Sequence, residues 1–232
     1  MFSKQFFAVS LLAAFLVLPA IASASDREDD VKRIDKSAQV FREIMNTPDK
    51  GIPHELLESA KCIAIIPGEV KFAFILGGNY GRGIATCHTP KGWSAPMFVA
   101  LGGGSVGYQI GGSSTDIIML FMNDHALQSL LSDKFRLGAD ASVAAGPVGR
   151  HAAAATDLKL RAEVVTYSRS HGIFAGVSLD GAVVRTDKSG DQAMYGGDVT
   201  HRQILDGKVA VPPSAEALIQ QINTSVMEAK AN

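Results

Sequence analysis

Cys62-Ile63-Ala64-Ile65-Ile66-Pro67-Gly68-Glu69-Val70-Lys71-Phe72-Ala73-Phe74-Ile75-Leu76-Gly77-Gly78-Asn79-Tyr80 is the stretch on which the fold turns. Its two apolar runs, rich in β-branched and aromatic residues, are separated by Pro-Gly and closed by Gly-Gly-Asn, which predicts strand, turn, strand, turn. Downstream the same texture repeats at 82–88, 96–101, 105–110, 116–122, 134–143, 158–167, 173–179 and 182–186. Glycine is concentrated here, with 11 of the 23 residues between Gly77 and Gly112. Because glycine weakens a strand unless a bend or a close backbone approach requires it, this part of the sheet should be strongly curved.

Helical spacing appears on either side. Ser25-x-x-Glu28 reads as a capping box, and Val31, Ile34, Ala38, Phe41 and Ile44 follow at three- and four-residue steps, which predicts an amphipathic helix over 26–45. A short helix over 54–60, another over 124–131 capped by Asn123, and a C-terminal helix over 215–229 complete the pattern. The expected class is α+β: a large curved, mostly antiparallel sheet flanked by an N-terminal amphipathic helix and a C-terminal helix, with closure into a barrel left open.

The first residues have the layout of an export signal. Lys4 precedes an apolar run over 6–18, then Pro19, then Ala22-Ser23-Ala24, an A-x-A cleavage pattern. The run is shorter than the ~20 apolar residues needed to cross a bilayer. Residues 1–24 are therefore expected to be removed and 25–232 to form one domain in the periplasm or outside the cell. The remainder carries 21 basic and 23 acidic residues, a balance that gives no global attraction to nucleic acid or anionic membranes.

Few side chains suggest chemistry. Gly103-Gly104-Ser105-Val106-Gly107 matches the string of a serine nucleophile elbow, and Gly102-x-Gly104-x-x-Gly107 that of a dinucleotide fingerprint. Both need a helix directly afterwards, where this chain reads as strand and turn. The six histidines have no ligand spacing, so neither a metal nor a cofactor is expected and no residue is assigned a catalytic role. Cys62 and Cys87, in an exported chain, are either joined in a disulfide or buried as two thiols. Asp116, Asp140, Arg150 and Asp180 lie among apolar residues and need partners. They fit structural hydrogen bonds and ion pairs, or else a polar pocket for a head group in which Arg150 takes the anion.

The blocks Cys62-Ile63-Ala64-Ile65-Ile66-Pro67, Gly77-Gly78-Asn79-Tyr80-Gly81-Arg82-Gly83, Gly92-Trp93-Ser94-Ala95-Pro96, Gly111-Gly112-Ser113-Ser114-Thr115-Asp116, Leu137-Gly138-Ala139-Asp140 and Gly172-Ile173-Phe174-Ala175-Gly176 occur in one order. Over residues 35–197 the chain closely resembles the SYLF domain family. The resemblance implies a lipid-binding module, whose eukaryotic members bind phosphoinositides through a basic N-terminal amphipathic helix and whose yeast members also bind actin filaments; with no catalytic constellation in the sequence, no enzymatic activity is expected. The matching positions here are Arg27, Lys32, Arg33, Lys36, Phe41, Arg42 and Ile44, the candidate lipid-binding residues. Acidic neighbours within the same helix offset the basic ones. An exported protein would not meet actin, so the expected partner is a lipid or membrane surface. The alternatives are a structural or protein-interaction domain of the cell envelope with no lipid ligand and, remotely, a hydrolase built on Ser105.

Overall fold

The computed structural model describes residues 18–47, 51–72, 77–105, 113–147, 162–170, 173–176 and 179–231. Helix α1 (Leu18–Met45) and the short α2 (His54–Ser59) lead into β1 (Cys62–Phe72), β2 (Gly77–Thr89), β3 (Gly92–Trp93), β4 (Met97–Ser105) and β5 (Ser113–Phe121). After α3 (Asp124–Leu130) come β6 (Lys134–Arg136), β7 (Val143–Ala145), β8 (Val164–Ser170), β9 (Ile173–Gly176) and β10 (Val183–Thr186). Helices α4 (Lys188–Tyr195), α5 (His201–Leu205) and α6 (Pro213–Ala231) close the chain.

The strands form one sheet in the order β6-β10-β4-β2-β1-β5-β8-β7, with β3 added to β2 and β9 to β8. Pairing is antiparallel except between β7 and β8, so the sheet is mixed. Strand β1 at its centre is buried on both faces, which is why residues Cys62 to Ile66 are uniformly apolar and do not alternate. Ile63 and Ile65 face a helical layer in which Ile34, Phe41 and Ile44 of α1 meet Leu57 of α2 and Leu218 and Ile222 of α6. Cys62, Ala64 and Ile66 face a second core that holds Leu130 of α3, Ile204 of α5 and Val184 of β10.

The second core is the inside of a bend. Phe121 of β5 and Phe135 of β6 stand edge to face with centroids 6.0 Å apart, although four strands separate them in the sheet order. In a flat sheet, at ~4.8 Å per strand, they would be roughly 24 Å apart. The sheet therefore curls into a half-barrel with the second core inside.

Three expected elements came out differently. Helix α1 begins at Leu18 and runs through Ser25, so Ser25-x-x-Glu28 is not a helix start. Pro67-Gly68 does not end a strand: β1 runs through it, and the register to β2 and β5 slips across these residues. Gly68 takes a positive φ of 61° and its N–H donates to Asp116 Oδ1 at 2.9 Å, so the pair forms a bulge that bends the strand. The run 134–143, expected as one strand, is split. Its two ends supply β6 and β7, the opposite ends of the strand order, and the chain turns between them at Gly138, with φ 85°. There Asp140 accepts the Arg136 N–H at 2.6 Å and its own N–H donates to the Arg136 carbonyl at 2.8 Å. Helix α3 begins as expected, with Asn123 Oδ1 accepting the Ala126 N–H at 2.8 Å, whereas α4 and α5 had no counterpart in the sequence reading.

Candidate functional site

Helix α1 uses its apolar stripe to build the core. Phe41 is 1 % and Ile44 0 % exposed, so these two candidate lipid-contacting residues are not offered to a membrane while α1 is docked. The basic residues of α1 divide. Arg27, Lys32, Lys36 and Arg42 are exposed, whereas Arg33, 7 % exposed, turns inward.

Arg33 reaches a buried ionic cluster. Its Nη2 lies 2.8 Å from Asp30 Oδ1, its Nη1 2.9 Å from Asp187 Oδ2, and its guanidinium 5.0 Å from the centre of the Phe98 ring. Asp187 also takes Arg82 of β2, with Nη2 at 2.7 Å and Nε at 3.1 Å. The same aspartate caps α4, accepting from the Gly190 N–H and the Ser189 hydroxyl. One turn further, Asp191 Oδ1 accepts the Phe98 N–H at 2.8 Å, while the Phe98 carbonyl accepts the Asp187 N–H at 2.9 Å. The cluster thus fastens α1, β2, β4 and α4 at one point.

These carboxylates titrate apart. Burial alone would raise Asp187, but the Ser189 hydroxyl and the two guanidiniums outweigh it and hold its carboxyl well below the usual range. Burial raises Asp30 despite Arg33 beside it. Burial also pushes Asp191 up to about 7, against the pull of the Phe98 N–H, with Asp187 and Asp30 adding to the rise. A carboxyl that binds its proton more tightly folded than unfolded makes stability fall as pH rises from about 4 to about 7. Asp191→Asn keeps the acceptor for Phe98 and removes that slope. At pH 8 the variant should be about 1–2 kcal/mol more stable than the parent, with the gap narrowing as pH falls toward about 4. Thermal melts across this range check it; parallel pH profiles for the two proteins would contradict it.

Above the cluster lies an open groove of about 350 Å³ between α1 and the bulged part of β1 and β2. Among the described residues, four cationic side chains, Lys32, Arg33, Lys36 and Arg82, and one carboxylate, Asp29, line it, with Tyr80 at the rim, 44 % exposed. Lys32 is 2.8 Å from Glu28 and 3.6 Å from Asp29, whereas Lys36 makes no ion pair among the described residues. A second groove of about 430 Å³ runs between α1 and α6. Arg42 borders it, and His54 fixes one wall through Nδ1 at 2.8 Å from the Ser225 carbonyl.

The suggested polar-pocket residues serve separate contacts. Asp116 takes the Gly68 N–H and Arg169, whose guanidinium also pairs with Glu43 of α1. Asp140 closes the Gly138 turn. Asp180 packs against Gly138, where an added methyl would lie 1.9 Å from its Oδ1. Arg150 is outside the described residues. Cys62 and Cys87, direct partners in the β1–β2 register, are joined in a disulfide. Ser105 ends β4 opposite Gly77, and the next described element is another strand. Among the described residues no group of three His, Cys, Asp or Glu could hold a metal, and no helix is long and apolar enough to cross a membrane.

Sequence reading missed Arg82, Asp187 and Asp191. Gly81-Arg82-Gly83 reads as part of a glycine run, and nothing local ties Arg82 to a carboxylate 105 residues later.

Among known proteins, the family described as "Ysc84: Las17-binding protein actin regulator" matches residues 102–225. That match extends beyond residue 197, where the sequence resemblance ended, through α5 into α6. Protein YSC84 of Saccharomyces cerevisiae is 34 % identical over 194 residues, covering 80 % of this chain and 41 % of its own length. SH3 domain-containing YSC84-like protein 1 of Homo sapiens is 32 % identical over 204 residues, 86 % of this chain and 59 % of its own. The chain thus spans roughly two-fifths to three-fifths of the length of these relatives.

Proposed function

From the premise that this chain belongs to the Ysc84 family of SYLF domains, we propose that it is an exported lipid-binding module that holds the anionic head group of a membrane lipid in the groove beside α1. The observation that carries the reading is the convergence of Lys32, Lys36 and Arg82 on a concave surface rimmed by Tyr80. A phosphate-bearing head group meets several cations there, and the aromatic rim suits the polar boundary of a bilayer.

The reading differs from helix insertion. Ion pairs hold α1 at two points, Arg33 with Asp187 and Glu43 with Arg169, and its apolar stripe lies in the core. Contact with the membrane is accordingly made by a docked domain through head groups. Export rests on Lys4, the apolar run over 6–18 and Ala22-Ser23-Ala24. Helix α1 starts at Leu18, so cleavage after Ala24 trims its first two turns and leaves Arg33 and the core contacts in place. The description of the family refers to Las17 binding and actin regulation; an exported chain would exercise neither.

The test is co-sedimentation of protein beginning at Ser25 with phosphatidylglycerol or phosphatidylcholine vesicles. Binding should require the anionic lipid, and Lys32→Glu with Lys36→Glu should weaken it about tenfold or more, since each basic residue near such a surface contributes measurably. Equal pelleting of parent and variant, or equal pelleting with both lipids, would refute the assignment. Phe41 is unsuitable for this test because a charge there would disrupt the core.

A further inference from the structure

The floor of the groove is built from an unequal number of charges. Asp30, Asp187 and Asp191 approach one another around Phe98, with two guanidiniums, Arg33 and Arg82, among them in the described residues. Arg33 is engaged by Asp30 and Asp187, and Arg82 by Asp187. Asp191, 3 % exposed, has the Phe98 N–H as its hydrogen-bond donor among the described residues. The groups facing it are Asp30 and Arg33 from α1, the Phe98 amide from β4, Asp187 at the head of α4, and Tyr195 from its own helix, with Arg82 of β2 reaching the same cluster through Asp187. No histidine is among the residues described as lining the groove.

An excess buried carboxylate in a medium of low polarity is relieved most directly by a proton. Arg33 and Arg82 belong both to this cluster and to the wall of the groove, so the charge state beneath is felt by an anion above.

We propose that protonation of Asp191 tightens the groove's hold on an anionic lipid head group, so that this site binds membrane more strongly under mild acid than at alkaline pH. The idea rests on the head-group reading of the groove. With Asp191 charged, the three carboxylates exceed the two arginines by one, and the field at Lys36 and Arg82 is less favourable to an anion. With Asp191 neutral, the cluster balances and the groove's cations act without that opposition. Linkage is reciprocal: an anion in the groove makes Asp191 hold its proton more tightly, so binding takes up protons from solution. The titration range fits, since burial sets this carboxyl near neutrality.

The experiment compares the parent protein beginning at Ser25 with Asp191→Asn on vesicles of phosphatidylglycerol and phosphatidylcholine, from pH 5.5 to pH 8 at fixed ionic strength. Parent affinity should rise on the order of fivefold between pH 8 and pH 6, the scale of a modest coupling. The variant should bind at the parent's acid level throughout. Calorimetry at pH 7 in two buffers of different ionisation enthalpy supplies a second measurement, with net proton uptake expected on vesicle binding by the parent and less by the variant. Vesicle binding with the same pH slope in both proteins, or equal proton uptake, overturns the coupling and leaves the head-group site standing. Absence of binding at every pH overturns both. Inorganic phosphate at matched ionic strength separates the sources of the anion: displacement of protein from vesicles at low millimolar phosphate would mark a free-phosphate site and overturn the lipid assignment.

Discussion

Asp187→Asn is expected to lower stability by about 3–5 kcal/mol, the cost of breaking a buried ion pair by removing one partner. Asp187 is where Arg33 and Arg82 meet, and its loss as a charge leaves Arg33 with Asp30 alone in a site that water barely reaches. Asparagine retains an oxygen to cap α4, so the loss reports pairing rather than a missing cap. Urea unfolding of the parent, of Asp187→Asn and of Arg82→Gln would measure it. The Arg82 change should cost only ~1 kcal/mol or less, because that side chain is 42 % exposed. A loss below ~1 kcal/mol for Asp187→Asn would mean that the cluster does not hold the four elements together. The sign with pH is also fixed. Because the folded carboxyl sits below its ordinary range, its contribution is complete at neutral pH and disappears only as strong acid protonates it.

The second large effect belongs to the disulfide. Replacing Cys62 and Cys87 together by alanine should lower stability by about 3–4 kcal/mol. The bridge spans 25 residues of sequence, and its removal restores that freedom to the unfolded chain. Both cysteines are buried at the start of the central β1–β2 pair, so the lost sulfur contacts add to the effect. Denaturant titrations of the double variant and of the reduced parent should agree to within about 1 kcal/mol. An unchanged midpoint in the double variant would contradict the prediction.

Where one local signal dominated, the sequence was readable. The three- and four-residue spacing from Val31 to Ile44 specified α1 and its buried face, and Asn123 marked the start of α3. The class of fold was also accessible, because strand-like runs and glycine placement both act within a few residues. The failures share a cause. Pro67-Gly68 suits a turn and a bulge equally, and only the Gly68 contact with Asp116, 48 residues away, decides between them. The run 134–143 keeps strand composition throughout, yet the curvature of the whole sheet assigns its two halves to different ends of the strand order. At the candidate site, Lys32 and Lys36 announced themselves as charges on a helix. The inward turn of Arg33 depends on Asp187, 154 positions away, which no local pattern encodes.

The two outermost strands in the sheet order, β6 and β7, are only three residues long each. A long free strand edge is a template on which another chain can add, the first step toward fibrils. Among the described residues, the bend and the turn at Gly138 leave little straight backbone in β6 or β7 for a second molecule to copy. These two edges can therefore bound a wide, largely apolar sheet while giving a neighbouring molecule little to add to.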